Sequence, residues 1–85
     1  MQQPSIGVVG LGYVGIPLGV GLAKKFDRVF GYDINRERIA ELRKGYDRTG
    51  EIPSEEMKIS SLKLTDVAED IRGLDFYIVT VPTPV

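Results

Sequence analysis

The apolar positions of this chain follow two alternating rhythms. Ile6-Gly7-Val8-Val9 is a short apolar run closed by Gly10, the pattern of a strand buried on both faces of a parallel sheet. From Tyr13 to Phe26 the rhythm becomes helical. Val14, Leu18, Leu22 and Phe26 recur every four residues and predict the buried face. A second stripe, Gly15, Gly19 and Ala23, is small enough to let the helix approach its neighbour closely. Pro17 falls in the first turns, where its missing N–H costs least. Arg28 to Asp33 reads as a second strand. Asn35 is the expected N-cap of a helix over roughly 36–44, with Ile39, Leu42 and Tyr46 as its buried face and Gly45 at its end. After a loop over 46–53, Ser54-Glu55-Glu56 opens another helix with acids in its first turn. Leu62-Lys63-Leu64 is a short third strand. Asp66 and Glu69 have capping-box spacing before one or two helical turns stopped by Gly73. Phe76 to Val81 is the strongest strand, ended by Pro82-Thr83-Pro84.

Strands and helices therefore alternate, which implies the α/β class with a parallel sheet. Right-handed crossovers and doubly wound topology give four strands in the order 3-2-1-4.

Composition narrows the chemistry. Eighty-five residues make at most one domain, and a chain of this size buries only roughly 60–65% of its unfolded surface. There is no Cys and no His. That excludes disulfides, thiolate metal sites, thiol catalysis and the commonest general base from this chain. The net charge of −1 gives no footprint for nucleic acid. No apolar run approaches the ~18 residues of a membrane span, and Met1-Gln2-Gln3-Pro4 is not the start of a signal peptide. The expectation is a cytoplasmic protein with neither membrane nor nucleic acid as partner.

The chemistry that remains lies in Gly10-Leu11-Gly12-Tyr13-Val14-Gly15, which matches G-x-G-x-x-G. Alone the motif is weak. Here it follows a predicted strand, opens a predicted helix, and is followed by Asp33, 18 residues beyond Gly15. Each part has a physical task. Gly10 permits a tight turn, Gly12 lets a pyrophosphate approach the backbone, and Gly15 lets helix and strand pack closely. The helix N-terminus offers N–H groups to phosphates, and Asp33 can accept hydrogen bonds from both ribose hydroxyls. As mere turn and packing residues the glycines need no acid at this spacing. The carboxylate argues for NAD over NADP, although Arg36 or Arg38 could pair with a 2′-phosphate. The expected fold is thus a truncated Rossmann-type sheet. Residues 1–85 form the N-terminal part of a dinucleotide-binding domain, with substrate and catalytic domains elsewhere. In strand order 3-2-1-4 the Thr80-Val81-Pro82-Thr83-Pro84 segment should flank the same crevice, either as cofactor contact or as a plain strand terminator.

These residues resemble one family. Gly10 to Leu18, Gly31-Tyr32-Asp33-Ile34-Asn35, Arg38-Ile39, Leu42, Gly45 and Val79 to Pro84 look like the N-terminus of UDP-sugar 6-dehydrogenases, in register over essentially the whole chain. Asp47-Arg48-Thr49-Gly50-Glu51 looks most like the branch acting on UDP-N-acetylhexosamines. Gly19 and Gly21 depart from the family pattern, where larger residues are usual. The resemblance implies oxidation of C6 of a UDP-sugar by a parent enzyme using NAD. It implies cofactor contacts at Gly10, Gly12, Tyr13, Val14, Gly15, Asp33, Arg38 and Thr83, and neither catalytic residues nor a metal site within this chain, which by itself is expected to be inactive. Two other classes share parts of the pattern. An NAD-sensing regulatory module has no evident need for the Pro-Thr-Pro segment, and a β-hydroxyacid-type dehydrogenase more often follows its fourth strand with a different loop. The apolar fourth strand also leaves an edge expected to pair with a second copy, making a homo-oligomer, most simply a dimer.

Overall fold

The computed structural model describes residues 3–80. Its elements are β1 (Ser5–Val9), α1 (Gly15–Ala23), β2 (Arg28–Tyr32), α2 (Arg36–Arg43), α3 (Ser54–Ile59), β3 (Lys63–Thr65), a single 3₁₀ turn (Ala68–Ile71) and β4 (Phe76–Val79). The four strands form one sheet in the order β3-β2-β1-β4, every pair parallel. This is the topology expected from the alternation of elements. Among the described residues no helix is long and apolar enough to cross a membrane.

Register explains why the apolar runs are continuous. Ile6 pairs Val29 and Phe76, and Val8 pairs Gly31 and Ile78, so these residues share one face of the sheet. Val8, Leu11, Ile16, Val20, Val29, Ile39 and Leu42 are all but inaccessible to water. Ile52, Met57 and Leu62 complete this core. The opposite face carries Gly7, Val9, Phe30, Tyr32, Tyr77 and Val79. Gly7 is overlain by Leu74 and by the Tyr77 ring, whose side chains a Cβ there would meet at 2.9 and 3.2 Å. The Tyr77 hydroxyl donates to the Ile71 carbonyl at 2.6 Å and accepts the Leu74 N–H at 3.0 Å, pinning the 3₁₀ turn to β4.

Helix α1 corrects the expected burial. Its buried residues are Gly15, Ile16, Gly19 and Val20. Val14 is 56% exposed, and Leu18, Leu22 and Phe26 are only partly buried. The small stripe decides this. With no side chain at Gly19, the helix lies against Leu62, whose methyl a Cβ would meet at 3.2 Å. The neighbouring Ile16 and Val20 then enter the core. Gly21, by contrast, faces open space.

Helix α2 ends at Arg43. Gly45 adopts φ +88°, its N–H bonding the Leu42 carbonyl at 2.9 Å and the Tyr46 N–H the Glu41 carbonyl at 2.9 Å. This paired closure turns the chain off the helix axis. Tyr46 therefore leaves the face of Ile39 and Leu42 and stands 56% exposed, contrary to expectation. The Asp66–Glu69 capping box also does not form. The 3₁₀ turn has Val67 at its N-cap without a side-chain bond. Thr65 takes over instead, accepting the Val67 N–H at 3.0 Å and donating to Asp70 Oδ2 at 2.5 Å.

The two candidate faces of α1 predict different stabilities. Ile16→Ala should cost about 2–5 kcal/mol, as for other fully buried aliphatic truncations. Val14→Ala should stay within about 0.5 kcal/mol, as for exposed sites. Urea unfolding of both variants checks this. Equal losses would return the buried face to the Val14 stripe.

Candidate functional site

The carboxyl ends of β1, β2 and β4 meet at the glycine loop. Gly10 has φ +95°, a conformation other residues rarely adopt, and a Cβ there would lie 2.4 Å from the Thr80 carbonyl oxygen. A Cβ on Gly15 would stand 1.8 Å from the Gly10 carbonyl oxygen. The Gly10 N–H bonds the Tyr32 carbonyl at 2.8 Å, tying the loop to β2. The Thr80 N–H bonds the Val9 carbonyl at 2.8 Å, and its hydroxyl donates to the Gly10 carbonyl at 2.7 Å, tying the loop to β4. Gly12 differs from both. A Cβ there would meet nothing within 4 Å, so no protein atom demands a glycine. Among the described residues the amides of Gly12, Tyr13 and Val14 find no acceptor. They lie just ahead of the first turn of α1.

Asp33 follows β2 and reaches back to this loop. Its Oδ2 accepts the Leu11 N–H at 2.9 Å and its Oδ1 the Asn35 N–H at 2.9 Å. Each oxygen keeps a lone pair for a further donor. Asn35 caps α2 as expected, accepting the N–H groups of Glu37 at 3.0 Å and Arg38 at 3.2 Å. Between the loop and the cap opens a pocket of about 190 Å³, lined by Leu11, Gly12, Asp33, Asn35, Arg38 and Arg48.

Arg38 forms the floor of that pocket. Its Nε donates to the Leu11 carbonyl at 2.7 Å. Its Nη1 lies 2.9 Å from Asp47 Oδ1, with the two side chains 8% and 0% exposed. The approach is close but poorly aligned, so both Nη atoms remain without a hydrogen-bond acceptor. Asp47 in turn organises the 46–53 loop. It accepts the Thr49 N–H and hydroxyl at 3.0 and 2.7 Å, the Glu51 N–H at 3.1 Å and the Ile52 N–H at 3.0 Å. Arg48 leaves this loop toward the pocket, gripped by Glu41 through Nε at 2.9 Å and Nη2 at 2.7 Å. The loop also reaches the glycine motif. The neighbouring Glu51 carboxylate raises the Tyr13 phenol above its ordinary pKa. Arg36 points away, 3.4 Å from Asp66 and largely exposed.

The structure thus brings Gly10, Gly12, Gly15, Asp33 and Arg38 together, with Tyr13 and Val14 at the adjoining helix start. Thr83, with the rest of Pro82-Thr83-Pro84, lies outside the described residues. Sequence reading missed the parts played by Asp47, Arg48 and Thr80. Asp-x-Thr-Gly at 47–50 is a turn signature, but nothing in its spacing points to a buried arginine nine residues before Asp47. Among the described residues no group of three or more His, Cys, Asp or Glu could hold a metal.

Comparison with known proteins agrees with this geometry. A family model described as "UDP-glucose/GDP-mannose dehydrogenase family, NAD binding domain" matches residues 4–85. The chain is 49% identical to the UDP-N-acetyl-D-glucosamine 6-dehydrogenase of Pseudomonas aeruginosa, over all of this chain and 20% of that protein. It is 47% identical to Protein CapL of Staphylococcus aureus, over 95% of this chain and 19% of that protein. Its fold superposes on the solved UDP-D-ManNAc dehydrogenase of Pyrococcus horikoshii with a TM-score of 0.81 and 34% identity, covering 95% of this chain and 21% of the other. The chain spans about a fifth of the length of these relatives.

Three carboxyls are held below their ordinary pKa. For Asp47 burial pushes upward, but hydrogen bonds from Thr49 and Ile52 and the adjacent Arg38 guanidinium outweigh it. Bonding to Arg48 lowers Glu41, and the Ser5 N–H and hydroxyl lower Asp75. A depressed carboxyl adds stability above its unfolded pKa of about 4 and loses it as pH falls through the native value. The urea midpoint should therefore hold from pH 7 to about 5 and fall below about 4. Asp47→Asn should be less stable at pH 7 and lose less on acidification. Parallel pH profiles for the two proteins would contradict this.

Proposed function

The chain belongs to the UDP-glucose/GDP-mannose dehydrogenase family as its NAD-binding domain, and we propose that residues 1–85 are the N-terminal part of that domain, seating the adenosine and pyrophosphate of NAD. Asp33 accepts the ribose hydroxyls, Arg38 supports the pocket beneath, and the Gly12, Tyr13 and Val14 amides receive the pyrophosphate. Gly10 and Gly15 hold the loop in the shape that exposes those amides, and Thr83 adds a contact from the segment after β4. The observation that carries this reading is the glycine loop itself. Its free amides and the open space over Gly12 find no partner among the described residues, while Asp33 stands beside them with acceptor capacity to spare.

NAD supplies the hydride acceptor when bound. The chain's own part is to bind and orient it. The parent protein oxidises C6 of a UDP-sugar, a UDP-N-acetylhexosamine by likeness to the named relatives, and acts in the cytoplasm. The family resemblance implies no catalytic residue within this chain, which has no Cys and no His, so by itself it turns over no UDP-sugar.

Calorimetry tests the cofactor reading. NAD should bind with a Kd no tighter than roughly 0.1–1 mM, about 4–5.5 kcal/mol. Asp33→Ala should weaken NAD and narrow its preference over NADP. Tighter binding of NADP than of NAD by the unmodified chain would overturn the role given to Asp33.

We infer also that the isolated chain self-associates through β4. Only one edge of β4 is paired among the described residues, with β1, and Phe76, Tyr77 and Val79 are exposed along it. Such an edge is a template for a second strand. Sedimentation at micromolar concentration should show a dimer. A monomer there, with freely exchanging β4 amides, would refute it.

A further inference from the structure

The pocket beside Asp33 contains two arginines, yet neither is free to act as a cation. Arg38 faces the buried carboxylate of Asp47, and Arg48 is held at two points by Glu41. Asp33 is the only charged residue lining the pocket that has no oppositely charged partner among the described residues. The lining residues alone carry one net positive charge, and counting the partners Asp47 and Glu41 turns it into one net negative charge. A ribose diol, a neutral pair of donors, suits that field. A 2′-phosphate, with roughly −1.5 to −2 charges at pH 7, needs an accessible guanidinium whose charge is not already countered; the Nη groups of Arg38 have no hydrogen-bond acceptor but lie buried against the Asp47 carboxylate.

We propose that Asp47 and Glu41 are specificity-determining residues. They touch no ligand, but by neutralising Arg38 and Arg48 they keep the pocket from accepting a 2′-phosphorylated adenosine. The inference rests on the reading of this pocket as the adenosine site and adds to it. Asp33 alone would leave two arginines available to counter its repulsion. The two acids remove them in different ways. Asp47 is fixed by four donors from its own loop besides Arg38, so it cannot swing away to release Arg38. Glu41 sits on α2 at the rim, where its two oxygens match both arms of the Arg48 fork, the geometry that holds a guanidinium most firmly.

The test uses adenosine 5′-diphosphate (5′-ADP) and the same nucleotide carrying a 2′-phosphate, 2′-phospho-ADP, titrated by NMR into the full chain at low ionic strength. The unmodified chain should favour 5′-ADP, and Asp33→Ala should weaken it. Glu41→Gln keeps the side-chain size, leaves the core untouched and frees Arg48. It should shift the ratio of the two dissociation constants about three- to tenfold toward 2′-phospho-ADP, an effect that shrinks in 0.5 M salt. Asp47→Asn should shift the ratio the same way, its folding followed by circular dichroism. Glu55→Gln removes the same charge from a residue with no arginine partner and should leave the ratio unchanged. A ratio within twofold of the parent in Glu41→Gln, or an equal shift in Glu55→Gln, overturns the proposal while the adenosine site stands. Failure of 5′-ADP to bind, or binding indifferent to Asp33→Ala, overturns the site and this inference with it.

Discussion

Everything at the carboxyl edge of the sheet depends on one backbone contact, Gly15 against the carbonyl of Gly10. A Cβ on Gly15 would occupy that oxygen's own space, at 1.8 Å. Because neither position carries a side chain, α1 begins directly where β1 ends. The Gly10 N–H then reaches β2 through Tyr32, and the Gly10 carbonyl reaches the end of β4 through the Thr80 hydroxyl. Three strand ends are thereby fixed around one loop. The same closeness sets how α1 lies on the sheet. Gly19, one turn further along, lets Leu62 fill the gap, and Ile16 and Val20 become core.

The polar groups at this edge form a second layer of constraint. Asp33 bonds the amides of Leu11 and Asn35, so the glycine loop and the start of α2 share one carboxylate. Arg38 bonds the Leu11 carbonyl from the other side. Both backbone groups of Leu11 are therefore anchored by side chains that β2 and α2 place, while its own side chain is buried under Gly31 and beside Leu62. A buried pair such as Arg38–Asp47 is weak evidence of stability, because desolvation offsets much of the attraction. Its consequence is geometric. It joins the 46–53 loop to the glycine loop and fixes the charge of the pocket between them.

The two faces of the sheet are covered unequally. Helices α1, α2 and α3 bury one face over Val8, Val29 and Gly31. The described part of the other face receives only the 3₁₀ turn and Leu74. The connection from β3 to β4 must cross to that face for β4 to lie beside β1, and it does so in few residues. Tyr77 compensates by satisfying two backbone groups of that connection. Among the described residues, β4, the edge strand next to the candidate site, is consequently the least covered strand.

The sequence by itself determined the order of elements, the strand order, the glycine loop and its distance to Asp33. These are local periods and short spacings, and a parallel sheet with right-handed crossovers admits few arrangements of them. It determined the Asn35 cap for the same reason, since a cap is made with amides two and three residues away. It did not determine which stripe of α1 is buried. Val14, Leu18, Leu22 and Phe26 have the right period, but a period carries no direction, and the glycine stripe wins because burial is deepest where the backbone approaches most closely. It did not determine the exposure of Tyr46, which follows from the positive φ of Gly45. Nor did it reveal that Arg38 meets Asp47, or that Arg48 returns to Glu41. Those partners lie seven to nine residues apart across a turn with no regular period, and only the folded loop brings their charges together.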